Sequence, residues 1–225
     1  MSAQPARKTS KLLKAIRHLP EGGALTLQDV SREDYEQLLA DLGDSNRVRV
    51  SYDHGRLEII SPLPIHEMFK ELILRIADAY SLITGCELES LGSTTFNPGT
   101  FDQGAEPDTC FYVQNAARII GKRKIDLSID PAPDVAVEID ISSDSTNKLM
   151  IYQSLGVPEV WIYNERRLRI YHLTDQGYLE APNSMAFPLL TAGTLTEALE
   201  KSKTEGQSAA LRSFRQWLES NLPNE

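Results

Sequence analysis

The alternation of apolar and polar positions near the middle of the chain predicts a β-strand over residues 134–142. Its aliphatic residues share one face: Val135, Val137, Ile139 and Ile141. The opposite face carries Glu138 and Asp140, because side chains along a strand alternate with period two. Two like charges this close are unfavourable unless a cation or a hydrogen-bond network offsets them. The pattern therefore predicts a strand whose acids need such a partner.

The remaining patterns predict an α/β fold in which helices flank a sheet. Further strands are expected at residues 108–113, 158–164 and 167–173, the last two joined as a hairpin. An N-terminal hairpin is expected at residues 48–60, with its turn at Asp53, His54 and Gly55. Apolar residues at helical spacing predict helices at residues 66–84, 145–155, 195–222 and within 26–42. Ser31 is expected to cap the helix that ends near Leu42.

Length and composition favour one large domain. A chain of 225 residues with 41% hydrophobic residues has enough apolar material for a core. Residues 1–25 are interpreted as a separate basic tail, since residues 1–19 contain basic residues and no acid: Arg7, Lys8, Lys11, Lys14 and Arg17. A partly disordered tail is the preferred interpretation, and a nucleic-acid-binding arm is the alternative.

Charge, cysteines and hydropathy exclude several classes of protein. Cys86 and Cys110 do not suggest a disulfide framework, and they fit buried thiols in a reducing cytoplasm. No stretch approaches the ~18–20 apolar residues of a spanning helix, so neither a membrane partner nor a secretion signal is expected. A net charge of −9 does not favour binding of nucleic acid over the whole surface.

Any polyanion would therefore have to meet a local basic segment. The densest one near the acids is the predicted loop at residues 114–133, with Arg118, Lys122, Arg123 and Lys124. We expect DNA to be a partner through such segments, although a solvated loop explains the same residues.

Acids at the strand ends point to a metal. Asp108 opens one predicted strand directly after a proline, and Glu138 and Asp140 lie on the next predicted strand. Two or three carboxylates on neighbouring strands form an oxygen-ligand site suited to a hard divalent cation such as Mg²⁺.

Several motifs together resemble one known superfamily. They are YDHGRLEIISPLPIHE, LGSTTF, EPDTCFYV, PDVAVEIDIS and GVPEVWIYN, within roughly residues 47–173. The chain resembles the restriction-endonuclease-like PD-(D/E)XK nucleases, in their Uma-type branch of bacterial proteins. The resemblance implies a mixed β-sheet core flanked by helices, formed by residues 26–225 with a C-terminal helical extension at 195–222. It also implies a site for Mg²⁺ or Mn²⁺ at the strand ends.

The resemblance assigns a role to each acid. Asp108 stands as the aspartate of the PD motif and Glu138 as the acid of the (D/E)XK motif, both binding the metal. The backbone carbonyl of Ile139 is a further candidate ligand. Glu67 looks like the extra helical acid of some members, although an acid in a first helical turn also complements the helix dipole.

The chain departs from the motif at Asp140, which stands where the superfamily has its lysine. Asp140 is expected either to add a ligand or to hydrogen-bond a metal-bound water. Lys148 near the start of the next helix is the candidate replacement, although most lysines lie on the surface. We predict that its long stem carries the ammonium back over the carboxylates.

Two hypotheses about function follow. The first is an Mg²⁺-dependent endonuclease that hydrolyses DNA phosphodiester bonds, with Asp108, Glu138 and Lys148 as its central residues. The alternative is a non-catalytic descendant of the nuclease fold that binds metal or DNA. Such a protein could also act as a subunit that forms a homodimer through the sheet edge or the C-terminal helices. Asp140 and the acidic net charge favour the alternative.

Overall fold

The computed structural model describes residues 12–43, 48–97, 102–141 and 145–223. Its strands are β1 Ala24–Leu27, β2 Arg49–Asp53, β3 Arg56–Ile60, β4 Glu89–Ser90, β5 Gln103–Gly104, β6 Thr109–Tyr112, β7 Val135–Ile139, β8 Glu159–Tyr163, β9 Leu168–Thr174 and β10 Gly177–Ala181. Its main helices are α1 Arg32–Leu42, α2 Pro64–Thr84, α3 Ala116–Ile119, α4 Leu149–Ser154, α5 Ala192–Glu205 and α6 Gln207–Ser220. A 3-10 turn, Ser145–Lys148, leads directly into α4.

The larger sheet has the strand order β10-β9-β8-β7-β6-β4. Only β7 and β8 run parallel, and the other neighbours pair antiparallel, so the sheet is mixed as predicted. The parallel pair requires a crossover, and the 3-10 turn and α4 supply it. The predicted α/β fold class, a mixed sheet flanked by helices, is therefore confirmed.

The two faces of this sheet pack against different helices. Val135, Val137 and Ile139 lie in a core with α2, α5 and α6. Ala136 lies in a second core with Ile151 and Tyr152 of α4. The predicted alternation along β7 is confirmed, and it turns Glu138 toward α4 and the 3-10 turn that precedes it.

The predicted N-terminal hairpin is confirmed and belongs to a second sheet, in the order β1-β3-β2-β5. His54 and Gly55 form its two-residue turn with φ of 43° and 89°, as a tight turn between right-twisted strands requires. The predicted cap is also present, because Ser31 Oγ accepts a hydrogen bond from Asp34 N at 3.1 Å. The hairpin brings β2 to the segment that precedes β6, because Arg49 of β2 contacts Glu106 there.

The structure differs from the prediction in several elements. The helix expected at 195–222 is two helices, because Gly206 adopts φ +85° between them. The expected loop 114–133 contains the short helix α3. The edge strand β10 was not predicted, because its segment GYLEA carries a half-exposed mixture of apolar and polar residues.

Some predictions fall outside the described residues. The basic residues Arg7, Lys8 and Lys11 of the predicted tail lie there, as does residue 142 at the end of the strand predicted over 134–142. The division into a tail at 1–25 and a domain at 26–225 stays a prediction. In the part of the chain that the structure describes, no helix is long and apolar enough to cross a membrane.

An aromatic cluster fixes the irregular segment before α5 against the sheet. The Phe187 ring lies 5.2 Å from the Tyr80 ring, 5.9 Å from that of Phe111 and 5.7 Å from that of Trp161, measured between centroids.

We expect Phe187→Ala to lower the free energy of unfolding by about 3–5 kcal/mol, because it leaves a cavity among three rings. Urea unfolding would measure the loss. Leu179→Ala on the exposed face of β10 is the control, with a change within about 0.5 kcal/mol. Equal stability of the two variants would contradict this packing account.

Candidate active site

Asp108 and Glu138 meet at one end of the β6–β7 pair. The register that pairs Thr109 with Val137 brings the next residues, Asp108 and Glu138, opposite each other. Both side chains are almost fully buried, since each residue is only 2% exposed. Two carboxylates in this position must be stabilised by other groups, and the structure provides several.

Asp108 is held by three neighbouring groups. Its Oδ2 accepts a hydrogen bond from Ile139 N at 2.7 Å and lies 3.2 Å from His66 Nε2. Its Oδ1 lies 3.5 Å from Arg49 Nε. Burial alone would raise the pKa of Asp108, but the hydrogen bond and charge of His66, together with Lys148, hold that pKa below its ordinary value. At Ile139 these contacts concern the amide, and the ligand role of its carbonyl stays a prediction.

Glu138 is bound by groups from the crossover. Lys148 Nζ donates to its Oε2 at 2.8 Å, and Ser145 Oγ lies 3.4 Å from the same oxygen. The Tyr152 hydroxyl donates to Oε1. Burial raises the pKa of Glu138 to about 7, with Lys148 opposing the rise and Asp108 adding to it. Because burial and Glu138 raise the pKa of Tyr152 well above its ordinary value, Tyr152 remains a neutral donor.

Lys148 lies where the sequence analysis predicted that it would reach. It is only 5% exposed, and its ammonium group contacts Glu138 rather than solvent. Burial lowers the pKa of Lys148, but the charges of Glu138 and Asp108 more than offset this and raise the pKa overall. Its backbone belongs to the 3-10 turn, whose first amide, Ser145 N, donates to Asp140 Oδ2 at 2.9 Å. Asp140 therefore helps to hold the turn that presents Lys148.

Glu106 belongs to the site, although the sequence analysis did not identify it. Glu106 is 1% exposed and its Oε1 lies 3.4 Å from Arg49 Nη1, while its Oε2 accepts from Thr95 Oγ1 at 3.4 Å. Burial raises the pKa of Glu106 to about 7, with Arg49 opposing and Asp108 adding to the rise. A signal existed, because Glu106 precedes Asp108 by one strand period, but Pro107 interrupts that pattern.

Glu67 lies at the rim of the same cluster. Its side chain is 40% exposed, its Oε1 is 3.4 Å from Arg49 Nη2, and its Oε2 pairs with Lys70 on the next turn of α2. The helix thus brings Glu67 to the site, as predicted, but in contact with two cations. His66 on the same turn contacts Asp108 directly, with Nε2 3.2 Å from Oδ2.

The basic segment expected near the acids begins after the far end of β6. Arg118 and Lys122 follow the Tyr112 end of β6, whereas Asp108 precedes its other end. Lys122 pairs with Asp130 inside the same loop. Contact of this segment with DNA stays a prediction.

The donor set fits a hard divalent cation. A carboxylate has about four acceptor positions, so Asp108 and Glu138 retain acceptor capacity beside their protein hydrogen bonds. Among the described residues, no group of three or more histidine, cysteine or acidic side chains is arranged to hold a metal. Mg²⁺ suits this arrangement, because it commonly binds through one or two carboxylates and keeps several waters.

Comparison with known proteins was made on the whole chain. Residues 32–201 match the model of the Uma2 family, described as "Putative restriction endonuclease". The chain belongs to the Uma2 family. The Uma2 match includes every acid of the site and Lys148, and it confirms the Uma-type resemblance.

Solved structures and curated proteins were also compared with this Uma2 chain. It is similar to a crystal structure from Anabaena variabilis ATCC 29413, described as "a putative nuclease belonging to DUF820", with 18% sequence identity and a TM-score of 0.48. The match covers 67% of this chain and 90% of that chain. No curated protein matches.

The raised pKa of Glu106 predicts how stability depends on pH. An acid whose pKa is higher in the folded state gives stability that is fully present below its unfolded value, 4.5, and is lost as pH rises through about 7. In metal-free buffer the wild type should lose up to about 3 kcal/mol of unfolding free energy in this way as pH rises. We expect Glu106→Gln to remove this part of the pH dependence. Urea unfolding with a chelator at about pH 5 and about pH 8 would measure how the unfolding free energy changes with pH, the slope, in the wild type and in the variant. Identical slopes would contradict the burial of a titrating Glu106.

Proposed function

We propose that this chain is a divalent-metal-dependent nuclease that hydrolyses DNA phosphodiester bonds. One observation carries the proposal: a buried lysine ammonium lies on Glu138, at the strand end where Glu138 faces Asp108. Membership of a family described as a restriction endonuclease supports the same reaction class. A structural ion pair alone would not require a second acid, Asp108, directly opposite.

Asp108 and Glu138 would hold the ion, Mg²⁺ or Mn²⁺, with the Ile139 carbonyl as a further candidate ligand. When bound there, the ion polarises the phosphoryl oxygen and lowers the pKa of a bound water. The His66 contact and the Ile139 amide fix the orientation of the Asp108 carboxylate. Tyr152 does the same for Glu138.

Lys148 supplies the positive charge that the motif lysine supplies elsewhere in the superfamily. Its ammonium group remains protonated and lies in a buried environment, where a fixed charge acts more strongly than in water. We assign to it the stabilisation of negative charge that develops on the phosphate, or the orientation of the attacking water. Asp140 contributes indirectly by holding the 3-10 turn.

The substrate can approach Lys148 through a cavity of about 240 Å³ between the N-terminal hairpin and the 3-10 turn. Lys148 lines this cavity, together with Arg56 of β3 and Asn147. Arg56 is a cation suited to a phosphate of the DNA backbone. A further contact through the basic segment at residues 118–124, which follows the other end of β6, stays a prediction.

The metal part of the proposal predicts a response in thermal stability. We expect millimolar Mg²⁺ or Mn²⁺ to raise the melting temperature of the wild type, because a ligand that binds only the folded state stabilises it. Glu138→Ala should abolish the response, whereas Glu205→Ala on the exposed end of α5 should retain it. Differential scanning calorimetry with and without metal measures both. A wild-type melting temperature unchanged by either ion would count against a metal site.

The role of Lys148 predicts a separation of cleavage from metal binding. We expect Lys148→Ala to lower metal-dependent nicking of plasmid DNA at least about a hundredfold, because it removes a charge that acts on the transition state. Metal-induced stabilisation should remain, since both carboxylates are retained. Lys148→Arg should not rescue cleavage fully, because a planar guanidinium does not replace a compact ammonium.

Lys201→Ala, an exposed lysine on α5, is the matched control and should cleave like the wild type. Wild-type cleavage by Lys148→Ala would remove the proposed role of the lysine. Metal binding by the wild type without any cleavage of duplex or single-stranded DNA would instead favour the non-catalytic alternative.

A further inference from the structure

Arg49 is a buried cation in the middle of the acidic cluster. It is only 8% exposed, although it belongs to a hairpin strand in which an arginine commonly faces solvent. Its guanidinium nitrogens lie 3.4 Å from Glu67 Oε1, 3.4 Å from Glu106 Oε1 and 3.5 Å from Asp108 Oδ1. A single planar group therefore contacts carboxylates from α2, from the segment before β6 and from the PD position.

Glu67, Glu106 and Arg49 reach Asp108 from elements other than the one that carries Lys148. Glu138 belongs to β7 and Lys148 to the crossover that follows it, whereas Glu67, Glu106 and Arg49 belong to α2, the approach to β6 and the N-terminal hairpin. Asp108 lies between the two sets, because it contacts Arg49 and lies opposite Glu138. A second divalent ion beside the first would need the oxygens that Arg49 now contacts.

The charges of the site also favour a single ion. The carboxylates of Glu67, Glu106, Asp108 and Glu138 face the cations Arg49, Lys70 and Lys148. When all seven are ionised, one negative charge remains, and a protonated His66 beside Asp108 would cancel it. One divalent ion already makes the net charge of the site positive. A second ion next to Arg49 would add two more positive charges at a buried position.

We propose that Arg49 takes the place of a second divalent ion, so that the site binds one ion per chain. The inference rests on the proposed function, because it concerns the ion that Asp108 and Glu138 would hold. It also explains why Glu67 is paired with cations at the rim of the site.

The test is the number of Mn²⁺ ions that the full chain binds. Isothermal titration gives the stoichiometry, and electron paramagnetic resonance distinguishes an isolated Mn²⁺ from a magnetically coupled pair. We expect one isolated ion in the wild type. Two coupled ions would overturn the inference and leave the nuclease proposal intact. No binding at all would overturn the metal part of the proposed function, and the inference with it.

Substitutions test whether Arg49 is the cause. Arg49→Met keeps the aliphatic stem and removes the charge, and we expect this variant to bind a second Mn²⁺ coupled to the first. Arg49→Lys keeps a charge and should bind one ion, as should the control Arg75→Met on the exposed side of α2. A folded Arg49→Met variant that still binds one ion would overturn the role of Arg49. If that variant does not fold, two ions in Arg49→Lys or in the wild type would overturn it equally.

Discussion

The pairing of Lys148 with Glu138 inside the core is the interaction on which the rest of the site depends. Glu138 points toward α4 because β7 alternates, and a buried carboxylate without a partner would be strongly destabilising. The 3-10 turn and α4 supply that partner, along with the Tyr152 hydroxyl. The same crossover is what a parallel β7–β8 pair requires, so the fold and the site use one segment.

A second set of contacts joins the two sheets of the molecule around Asp108. Arg49 comes from the smaller sheet, and His66 and Glu67 come from α2. Asp108 directly precedes β6. Oppositely charged side chains from separate elements are therefore in contact around Asp108. This arrangement joins the hairpin to α2 and to the segment before β6, and it leaves Asp108 fixed in orientation opposite Glu138.

Sequence reasoning identified the residues whose position follows from local periodicity. Glu138 followed from strand alternation, and Lys148 followed from the short connection between that strand and the next helix. Arg49 and Glu106 were missed, because their burial accompanies a contact between the hairpin and the segment before β6 that local periodicity does not predict. The edge strand β10 was missed for a related reason, since an exposed strand carries no regular apolar pattern. The location of the basic loop likewise depends on strand direction.

The central claim is that Asp108 and Glu138 together hold a divalent ion beside Lys148. The most direct measurement is a crystal structure of the full chain with Mn²⁺, using anomalous scattering to locate the ion. The account predicts a peak within about 2.0–2.6 Å of oxygens from both carboxylates, the range of ligand distances for hard cations. A peak bound by neither Asp108 nor Glu138, or no peak at an Mn²⁺ concentration that supports cleavage, would contradict it.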